Sequence, residues 1–570
     1  MSKTAVTSAS CASQEAQTGL TSAPDSLAAR AVVGVVPPLE RRRRARLFDA
    51  LEAAYPIRFE ARDPESLRGI DGLVVFGALG PATTVEAHGV PRLVYTGAEN
   101  PGEALGVELG QHAALARALH GARLSERHAA GFTAIAPRPE ENVLGRVSGS
   151  PAWVLSVDGG VPSHRVAVGP DELGPREVLR NRLAPGRCLA LLALVQFIRD
   201  LTAGRRWEVP APRAAIVIDD PNLRWPTYGH IDYAALSRSA ALHGYHVAIA
   251  MIPLDGWPAH PRAVRLFSEG RTHLSLCIHG NDHDGPELAR PRSLPEAIGP
   301  VVQAMRRSRA FERRTGVVVD PVMVAPHEQV SEPTMAALRA CGYEAISGAR
   351  PYGWIRFSPD LPWLTRPANA DPLIGWGSAE LMPGGFPLLL RMDFEHPREE
   401  LVIRAFLGQP VILYGHHDLL EAGTDRLEAV AAEVQRLGDV RWSSLSGIAR
   451  GASETRRAGD RLELRMLGRR VRVEVPAAVA QLSIDTTALA PGLNAQLTVR
   501  AGGIERMFSP ALEEAHVDVD HPGVVEVDLD DGGIDLASVH PGRRRFGPLV
   551  RRLAAEGRDR SAHRWVSRGR

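Results

Sequence analysis

Lysine and cysteine are both scarce in this chain of 570 residues. Lys3 is the only lysine, so no internal lysine is available to form a Schiff base or to bind phosphate in a P-loop. The 4 cysteines are scattered without CxxC spacing, which argues against a thiolate zinc site and a disulfide scaffold. These absences argue against pyridoxal phosphate enzymes and Walker NTPases, and they indicate a reducing compartment.

Long apolar runs and a net charge of one sign are missing as well. The longest apolar run, from Cys188 to Ile198, is well short of the roughly 20 residues that cross a bilayer. The polar start of the chain lacks the apolar stretch of about 7 to 15 residues that a secretory signal requires. With 67 basic and 66 acidic residues, the net charge of +1 gives no global reason to bind nucleic acid or an anionic membrane. We therefore expect a cytoplasmic protein without a transmembrane segment.

The pattern of strands and helices divides the chain into several regions, as its length requires. Residues 30–150 alternate short apolar strands with amphipathic stretches, which predicts a small α/β domain, and no GxGxxG motif opens a helix there. Residues 455–540 alternate polar and apolar residues between turns, which predicts an antiparallel β-sandwich. The other predicted regions are a disordered tail at 1–29, a bridging β and helix segment at 151–212, a barrel at 213–452 and a basic tail at 541–570.

The basic tail is strongly enriched in arginine. Residues 543–570 contain 10 arginines and 2 acidic residues, with Phe546 and Trp565 among them. Such a tail is most often flexible and solvated, and contact with nucleic acid or a membrane is the alternative interpretation. We expect no nucleic-acid partner from any other part of the chain.

Seven or eight apolar strands recur in the middle region, and most of them are separated by helical stretches. This order predicts a closed or nearly closed (β/α) barrel, in which the chemistry gathers at the C-terminal ends of the strands. Three of these strands end in residues that can bind a metal or transfer a proton. They are Asp219 and Asp220 after the first strand, His279 and His283 after another, and His416 and His417 after a late one.

Each of these motifs has an ordinary explanation when it is taken alone. Asp219 and Asp220 precede Pro221 and are suited to cap a turn or a helix. The histidines are suited to a surface loop or to hydrogen bonds with backbone carbonyls. A zincin interpretation of the HxxxH motif fails because Gly280 stands where that mechanism needs glutamate. The occurrence of all three motifs at strand ends of one region favours a shared site.

Two neutral imidazoles and one carboxylate form an open ligand set for Zn²⁺ or a similar divalent ion. Such an ion pulls the pKa of a bound water from 15.7 toward roughly 7, so a neighbouring carboxylate can remove its proton at neutral pH. Asp219 is the candidate base. Because adjacent residues of a strand end point in different directions, one acid can bind the metal while the other faces the water.

The order of these motifs resembles the polysaccharide deacetylase (NodB homology) superfamily over about residues 213–450. The resemblance extends to the loop at Pro326 that follows a strand, and to a closing strand and helix at 440–450. It implies a multidomain α/β protein with a distorted (β/α)₇ barrel in the middle. It also implies site residues: Asp219 as the base, Asp220, His279 and His283 as metal ligands, and His416, with His417 beside it, as the proton donor to the leaving amine.

The sequence departs from the pattern of this family at two motifs, which indicates a divergent member. Val217 and Ile218 replace the usual Thr-Phe before the two acids, and Ala325–His327 stands where the family has an arginine. Arg391, in an apolar strand, is the candidate to orient the base in its place, and Asp393 is a candidate to assist.

The resemblance, together with these motifs, implies a metal-dependent hydrolase of a C–N amide bond, with zinc as its cofactor. The expected substrate is an N-acetylated carbohydrate or a sugar-containing metabolite that loses its acetyl group. One alternative is a hydrolase of another small amide. The other is a non-catalytic protein that binds glycan or acts as a scaffold on a deacetylase-like barrel.

Overall fold

The structure is a computed structural model of the chain, with three sheet-containing units. It describes residues 30–77, 89–98, 100, 102–127, 129–349, 371–509, 515–519, 522–540 and 546–566. The predicted disordered tail at 1–29 lies outside the described residues. Within these ranges, no helix is both long and apolar enough to span a lipid bilayer.

The first unit is a nine-stranded sheet with the order β2-β1-β3-β4-β9-β8-β7-β5-β6. Neighbours from β2 to β9 are parallel, whereas those from β9 to β6 are antiparallel. Its strands are β1 (Ala31–Val36), β2 (Ile57–Ala61), β3 (Gly72–Phe76), β4 (Arg92–Tyr95), β5 (Leu105–Leu109), β6 (Arg123–Glu126), β7 (Asn142–Val147), β8 (Ser150–Asp158) and β9 (Val161–Val166). Its helices are α1 (Pro38–Arg43), α2 (Ala45–Ala54) and α3 (Leu189–Leu201).

The longest apolar run of the sequence, which begins at Cys188, forms most of α3. The first 10 residues of α3, 189–198, are all buried, and the hydroxyl of Tyr95 donates a hydrogen bond to the carbonyl of Ala190 at 2.8 Å. The segment before α3 contacts the barrel through charged groups that are fully buried. Arg180 and Glu400 are paired at 2.6 Å, and Arg404 donates a hydrogen bond to the same glutamate at 3.0 Å.

The second unit is a closed barrel of seven parallel strands in the order β13-β14-β15-β16-β18-β19-β10, with β10 pairing β13. The strands of this part of the chain are β10 (Arg213–Asp219), β11 (Thr227–Tyr228), β12 (Ile231–Asp232), β13 (Val247–Met251), β14 (Leu274–His279), β15 (Val319–Val324), β16 (Ala345–Gly348), β17 (Glu380–Met382), β18 (Phe386–Asp393), β19 (Val411–Gly415) and β20 (Arg441–Trp442). The short strands β17 and β20 add to β18 and β10. The predicted seven-stranded barrel is therefore confirmed.

Helices connect the barrel strands and cover their outer faces. They are α4 (Tyr233–His243), α5 (Pro261–Glu269), α6 (Leu294–Thr315), α7 (Glu332–Ala340), α8 (Glu399–Leu407), α9 (Asp425–Gln435) and α10 (Leu445–Arg450). Local sequence sets their ends: the side chain of Asp232 accepts the N–H groups of Ala234 and Ala235, and Gly244 ends α4 with φ +64. The interior of the barrel is filled by a cluster of small and medium residues, which includes Ala215, Val217 and Cys277.

The third unit is a sandwich of two four-stranded sheets, β21-β22-β24-β27 and β23-β28-β25-β26. Its strands are β21 (Ser453–Ala458), β22 (Arg461–Met466), β23 (Arg470–Val475), β24 (Gln481–Asp485), β25 (Gln496–Ala501), β26 (Ile504–Phe508), β27 (Ala515–Asp518) and β28 (Gly523–Asp530). Strand β23 alternates exposed arginine and glutamate with buried valine, which is the period of a sheet with one buried face. The predicted C-terminal sandwich is confirmed.

A final helix, α11 (Phe546–Val566), follows the sandwich and packs on the barrel. It lies in the segment that the arginine content predicts to be a flexible, solvated tail, and that interpretation is wrong for these residues. The physical reason is pairing of charges. Arg552 of this helix forms hydrogen bonds with Asp255, and Glu556 accepts a hydrogen bond from Arg224.

Candidate metal centre

Three polar side chains at the mouth of the barrel point into its interior. They do so because every second residue of a strand faces the same side of the sheet. Asp219, His279 and Arg391 each lie two residues beyond an interior-facing residue of the same strand. Those interior residues are Val217 in β10, Cys277 in β14 and Leu389 in β18. The three polar side chains therefore form the upper layer of the barrel core, and all three are buried.

Asp220, His279 and His283 bring three possible ligand atoms together, all within 4.8 Å of one another. Oδ1 of Asp220 lies 3.6 Å from Nε2 of His283 and 3.9 Å from Nε2 of His279. Ligands at about 2.0–2.2 Å from a tetrahedral zinc are separated by roughly 3.3–3.5 Å. A small inward movement of these side chains would therefore complete three corners of such a site.

The carboxylate of Asp220 is suited to bind a cation, although its nearest cationic group, Nη1 of Arg552, lies 3.6 Å from Oδ1. Its Oδ1 is buried and has no hydrogen-bond partner among the described residues, although a buried carboxylate oxygen normally has one. Its backbone has φ +83, a conformation that costs energy in a residue with a side chain. A strained backbone and a buried oxygen without a hydrogen bond are both expected at a residue whose side chain is positioned to bind a metal ion.

His279 has its second ring nitrogen committed to the backbone. Nδ1 lies 3.1 Å from the carbonyl oxygen of Val324, which favours a proton on Nδ1 and leaves the lone pair of Nε2 directed at the site. Burial lowers the pKa of His279 to about 4, against the opposing effect of Asp219. The imidazole is therefore neutral at pH 7, as a metal ligand must be.

A tight loop carries His283 to the site. Oε1 of Glu287 accepts the backbone N–H groups of Asn281 at 2.6 Å and His283 at 3.0 Å. A Cβ at Gly280 would lie 2.3 Å from the same oxygen and 2.6 Å from Cγ of Pro326. Glycine at 280 is thus needed both for its φ of +63 and for this close approach.

Asp219 is held by Arg391 through two parallel hydrogen bonds. Nη1 donates to Oδ1 at 2.9 Å and Nη2 donates to Oδ2 at 2.7 Å. Burial by itself would raise the pKa of Asp219, but the charges of Arg391 and His279 and the hydrogen bonds outweigh it and lower the pKa to about 2. Asp219 is consequently ionised at neutral pH and able to accept a proton.

Arg391 is itself anchored by Glu328, in the loop after β15. Nε of Arg391 donates to Oε1 of Glu328 at 2.9 Å, and the guanidinium lies 4.0 Å from the ring centroid of Tyr414. This loop is the region where the resemblance leads us to expect the arginine. It supplies an acid instead, and the arginine comes from β18. Asp393 is exposed and accepts the backbone N–H of Glu395 at 2.8 Å, which is the role of a turn residue.

The two adjacent histidines after β19 face different surroundings. Nε2 of His416 lies 4.0 Å from Oδ2 of Asp220, and 55% of its side chain is exposed. His417 points away from this group toward α11, with Nε2 3.8 Å from Oδ1 of Asp559 and its ring stacked on that of His230. Of the two, His416 is the histidine that borders the group formed by Asp220, His279 and His283, and it is exposed to solvent.

The strand-end motifs of the sequence identify the residues that the structure brings together, but they do not identify the residues that hold them. Glu328 and Glu287 are not found from the motifs. A signal for Glu328 exists: Arg391 lies in an apolar strand, and a buried arginine requires a carboxylate partner. Nothing in the local sequence specifies which acid that is.

No family model and no curated protein sequence matches this chain. Several solved structures resemble it and are described as deacetylases or esterases. The crystal structure of Agd3, a novel carbohydrate deacetylase, covers 87% of this chain and 99% of its own length, with 9% identity and a TM-score of 0.45.

Two further structures resemble part of the chain. A family 4 carbohydrate esterase from Streptomyces lividans, in complex with acetate, covers 42% of this chain and 94% of its own, with 9% identity and a TM-score of 0.25. The peptidoglycan deacetylase PdaC from Bacillus subtilis covers 42% and 91%, with 10% identity and a TM-score of 0.25. These TM-scores and identities are low, and the function proposed below rests on the residues of the site.

Proposed function

We propose that this protein is a zinc-dependent hydrolase of a C–N amide bond that removes the acetyl group from an N-acetylated carbohydrate or a sugar-containing metabolite. The observation that supports this most directly is the convergence of Asp220, His279 and His283 around a buried carboxylate oxygen without a hydrogen-bond partner. An ionised acid and an accessible imidazole border the same cluster. Together these groups supply a ligand set, a proton acceptor and a proton donor.

A zinc ion held by these three side chains would polarise the amide carbonyl and make water acidic enough to lose a proton near neutral pH. The residues of the chain then have separate tasks. Asp219, held in one orientation by Arg391, accepts the proton of the attacking water. His416, exposed beside Asp220, donates a proton to the nitrogen that leaves.

The close packing of the barrel below the site favours hydrolysis of small acyl groups. The barrel interior below Asp219 is filled with packed side chains, so the reacting group must approach from the mouth. Arg391, which is anchored by Glu328, holds the base in a fixed position, which lowers the entropic cost of the proton transfer. An acetyl amide presented at the mouth satisfies these requirements.

Metal content and acetate release test this function together. We expect the purified protein to bind one equivalent of zinc, to release acetate from N-acetylglucosamine oligomers, to lose activity with a chelator and to regain it with zinc. His416→Ala should retain zinc and lose at least about 100-fold in kcat. His243→Ala, at the C-terminal end of α4 and so at the opposite end of the barrel, is the matched control and should keep full activity.

The outcomes separate the proposed function from its alternatives. Zinc binding with release of amine from other N-acyl compounds, but not of acetate from these oligomers, would identify a hydrolase of another small amide. Glycan binding without turnover would identify a non-catalytic protein. The absence of zinc at equilibrium would overturn the proposed site.

A further inference from the structure

The helix α11 lies along one side of the barrel mouth and contacts four consecutive strand-end loops. Arg551 pairs with Asp284 after β14 at 2.8 Å, and Arg552 pairs with Asp255 after β13 at 3.0 Å. Glu556 pairs with Arg224 after β10 at 2.7 Å. Asp559 accepts a hydrogen bond from Tyr228 after β10 and lies beside His417 after β19.

The order of these contacts along the helix follows the order of strands around the barrel. Strands β14, β13, β10 and β19 are neighbours in the closed sheet, so α11 covers one continuous arc of the rim. Among the described residues, no hydrogen bond or ion pair joins α11 to the loops after β15 or β18. The described contacts of the helix with the mouth are therefore confined to this arc.

This arc contains the strands that end in the three candidate metal ligands, Asp220, His279 and His283. Nη1 of Arg552 lies 3.6 Å from Oδ1 of Asp220. Asp284, the partner of Arg551, is the residue next to His283 in the chain. A helix with its side chains is about 10–12 Å across, so α11 forms a barrier of that width directly beside the three ligands.

The side of α11 that faces the barrel carries charged residues, whereas its exposed side includes apolar ones. Arg552, Glu556 and Asp559 are only 5–9% exposed. Phe546, Val550 and Leu553, in contrast, are all exposed. Attachment of the helix thus depends on specific ion pairs and hydrogen bonds with loops of the mouth, and reversal of those charges should release it without disturbing the core.

We propose that α11 closes one side of the metal cleft, so that the site accepts a terminal N-acetylated unit of a carbohydrate chain or a small N-acetylated molecule, and excludes the interior units of a polymer. This substrate class rests on the proposed function. An interior unit must extend from the metal cluster in two directions, and one of them meets α11. A terminal unit extends in one direction only, away from α11.

The test compares the native chain with a full-length variant in which α11 is repelled from the mouth. Glu556→Arg combined with Asp559→Arg replaces both acids of the inner face and sets arginines against Arg224. Leu553→Arg combined with Ala554→Arg adds arginines at two exposed positions of the same helix and is the control. Hydrogen exchange of residues 546–566 verifies that only the first variant releases the helix.

The position of each lost acetyl group is measured by mass spectrometry on end-labelled N-acetylglucosamine oligomers of increasing length. We expect the native protein and the control to deacetylate one terminal unit at least about tenfold faster than interior units, because a clash with α11 excludes the latter. The released variant should deacetylate interior units as well. Deacetylation of interior units by the native protein, or an unchanged pattern in the released variant, would overturn the proposal.

A second measurement does not require turnover. The zinc-loaded proteins are mixed with an excess of the chelator EDTA, and the rate of metal removal is followed. We expect removal to be several-fold faster from the released variant than from the native protein and the control, and equal rates would contradict the barrier. A protein that binds no zinc would fail the proposed function itself, which distinguishes the two failures.

Discussion

Arg391 and Asp219 are joined by two hydrogen bonds of 2.9 and 2.7 Å across the mouth of the barrel, although 172 residues separate them in the chain. Both side chains are buried, and Glu328 completes the group by accepting a hydrogen bond from the same arginine. The opposing charges raise the pKa of Arg391, against the effect of burial, and lower that of Asp219. The candidate base is therefore fixed in orientation and kept ionised.

Asp219→Asn should remove turnover and leave the metal in place. Asparagine has nearly the same shape, but it cannot accept the proton of the attacking water, and general base catalysis contributes about 10²–10⁴-fold. Elemental analysis and acetate release, measured on the same preparation, check both parts. Unchanged activity would show that another residue is the base.

Arg391→Lys should keep the positive charge and lose the paired geometry. A lysine cannot donate two parallel hydrogen bonds to one carboxylate, so we expect kcat to fall by about 10–100-fold through misorientation of Asp219, with zinc content unchanged. Arg436→Lys, at an exposed position, is the control. If KM rose while kcat stayed constant, Arg391 would bind substrate and would not position the base.

His283→Ala should lose the metal because one of three ligands is removed. The neighbouring His327 provides a close control, since its ring centroid lies 5.5 Å from that of His283 but it does not belong to the ligand group. We expect zinc affinity to fall by at least about 100-fold in His283→Ala and to be retained in His327→Ala. Isothermal titration with zinc measures both, and stoichiometric zinc in His283→Ala would refute the ligand set.

Asp320→Asn should stabilise the protein above about pH 6. Burial raises the pKa of Asp320 to about 6, and the hydrogen bond from the backbone N–H of Ser446 offsets only part of this effect. In the unfolded chain the pKa is about 3.9. Between these two values the folded state binds more protons than the unfolded state, so this group lowers the stability as the pH rises from about 4 to 6.

Asparagine accepts the same hydrogen bond and carries no charge. The free energy of unfolding of Asp320→Asn should therefore exceed that of the native protein by ~2–3 kcal/mol at pH 7 and match it near pH 4. Denaturant titrations across this range measure the difference, with Asp439→Asn at an exposed position as the control. A difference that does not vary with pH would refute the buried, titrating Asp320.

The strand-end motifs predict the barrel and the residues of the candidate site because both depend on short-range patterns. A strand of alternating interior residues that ends in Asp219 or His279 can be recognised within about ten residues of sequence. The partners of these residues are harder to recognise. Arg391 is a candidate partner of Asp219 only through the resemblance, and Glu328 meets Arg391 only when the barrel closes.

A different reason explains why the location of α11 could not be predicted from the sequence. Burial of a helix is normally inferred from an apolar face, but the buried face of α11 carries Arg552, Glu556 and Asp559 beside Pro548. An arginine-rich segment with charged residues at these positions therefore has the sequence pattern of a solvated tail. Its attachment depends on carboxylates and arginines of the barrel loops, which are distant in the chain.

The buried contact of Arg180 with Glu400 has a consequence for how the protein unfolds. Loss of the α/β unit would leave Glu400 inside the protein with Arg404 as its remaining cation, and an incompletely paired buried charge costs about 3–5 kcal/mol. Neither unit can therefore melt independently without a large penalty for the other. The α/β unit and the barrel should accordingly unfold in one cooperative transition, visible as a single calorimetric peak.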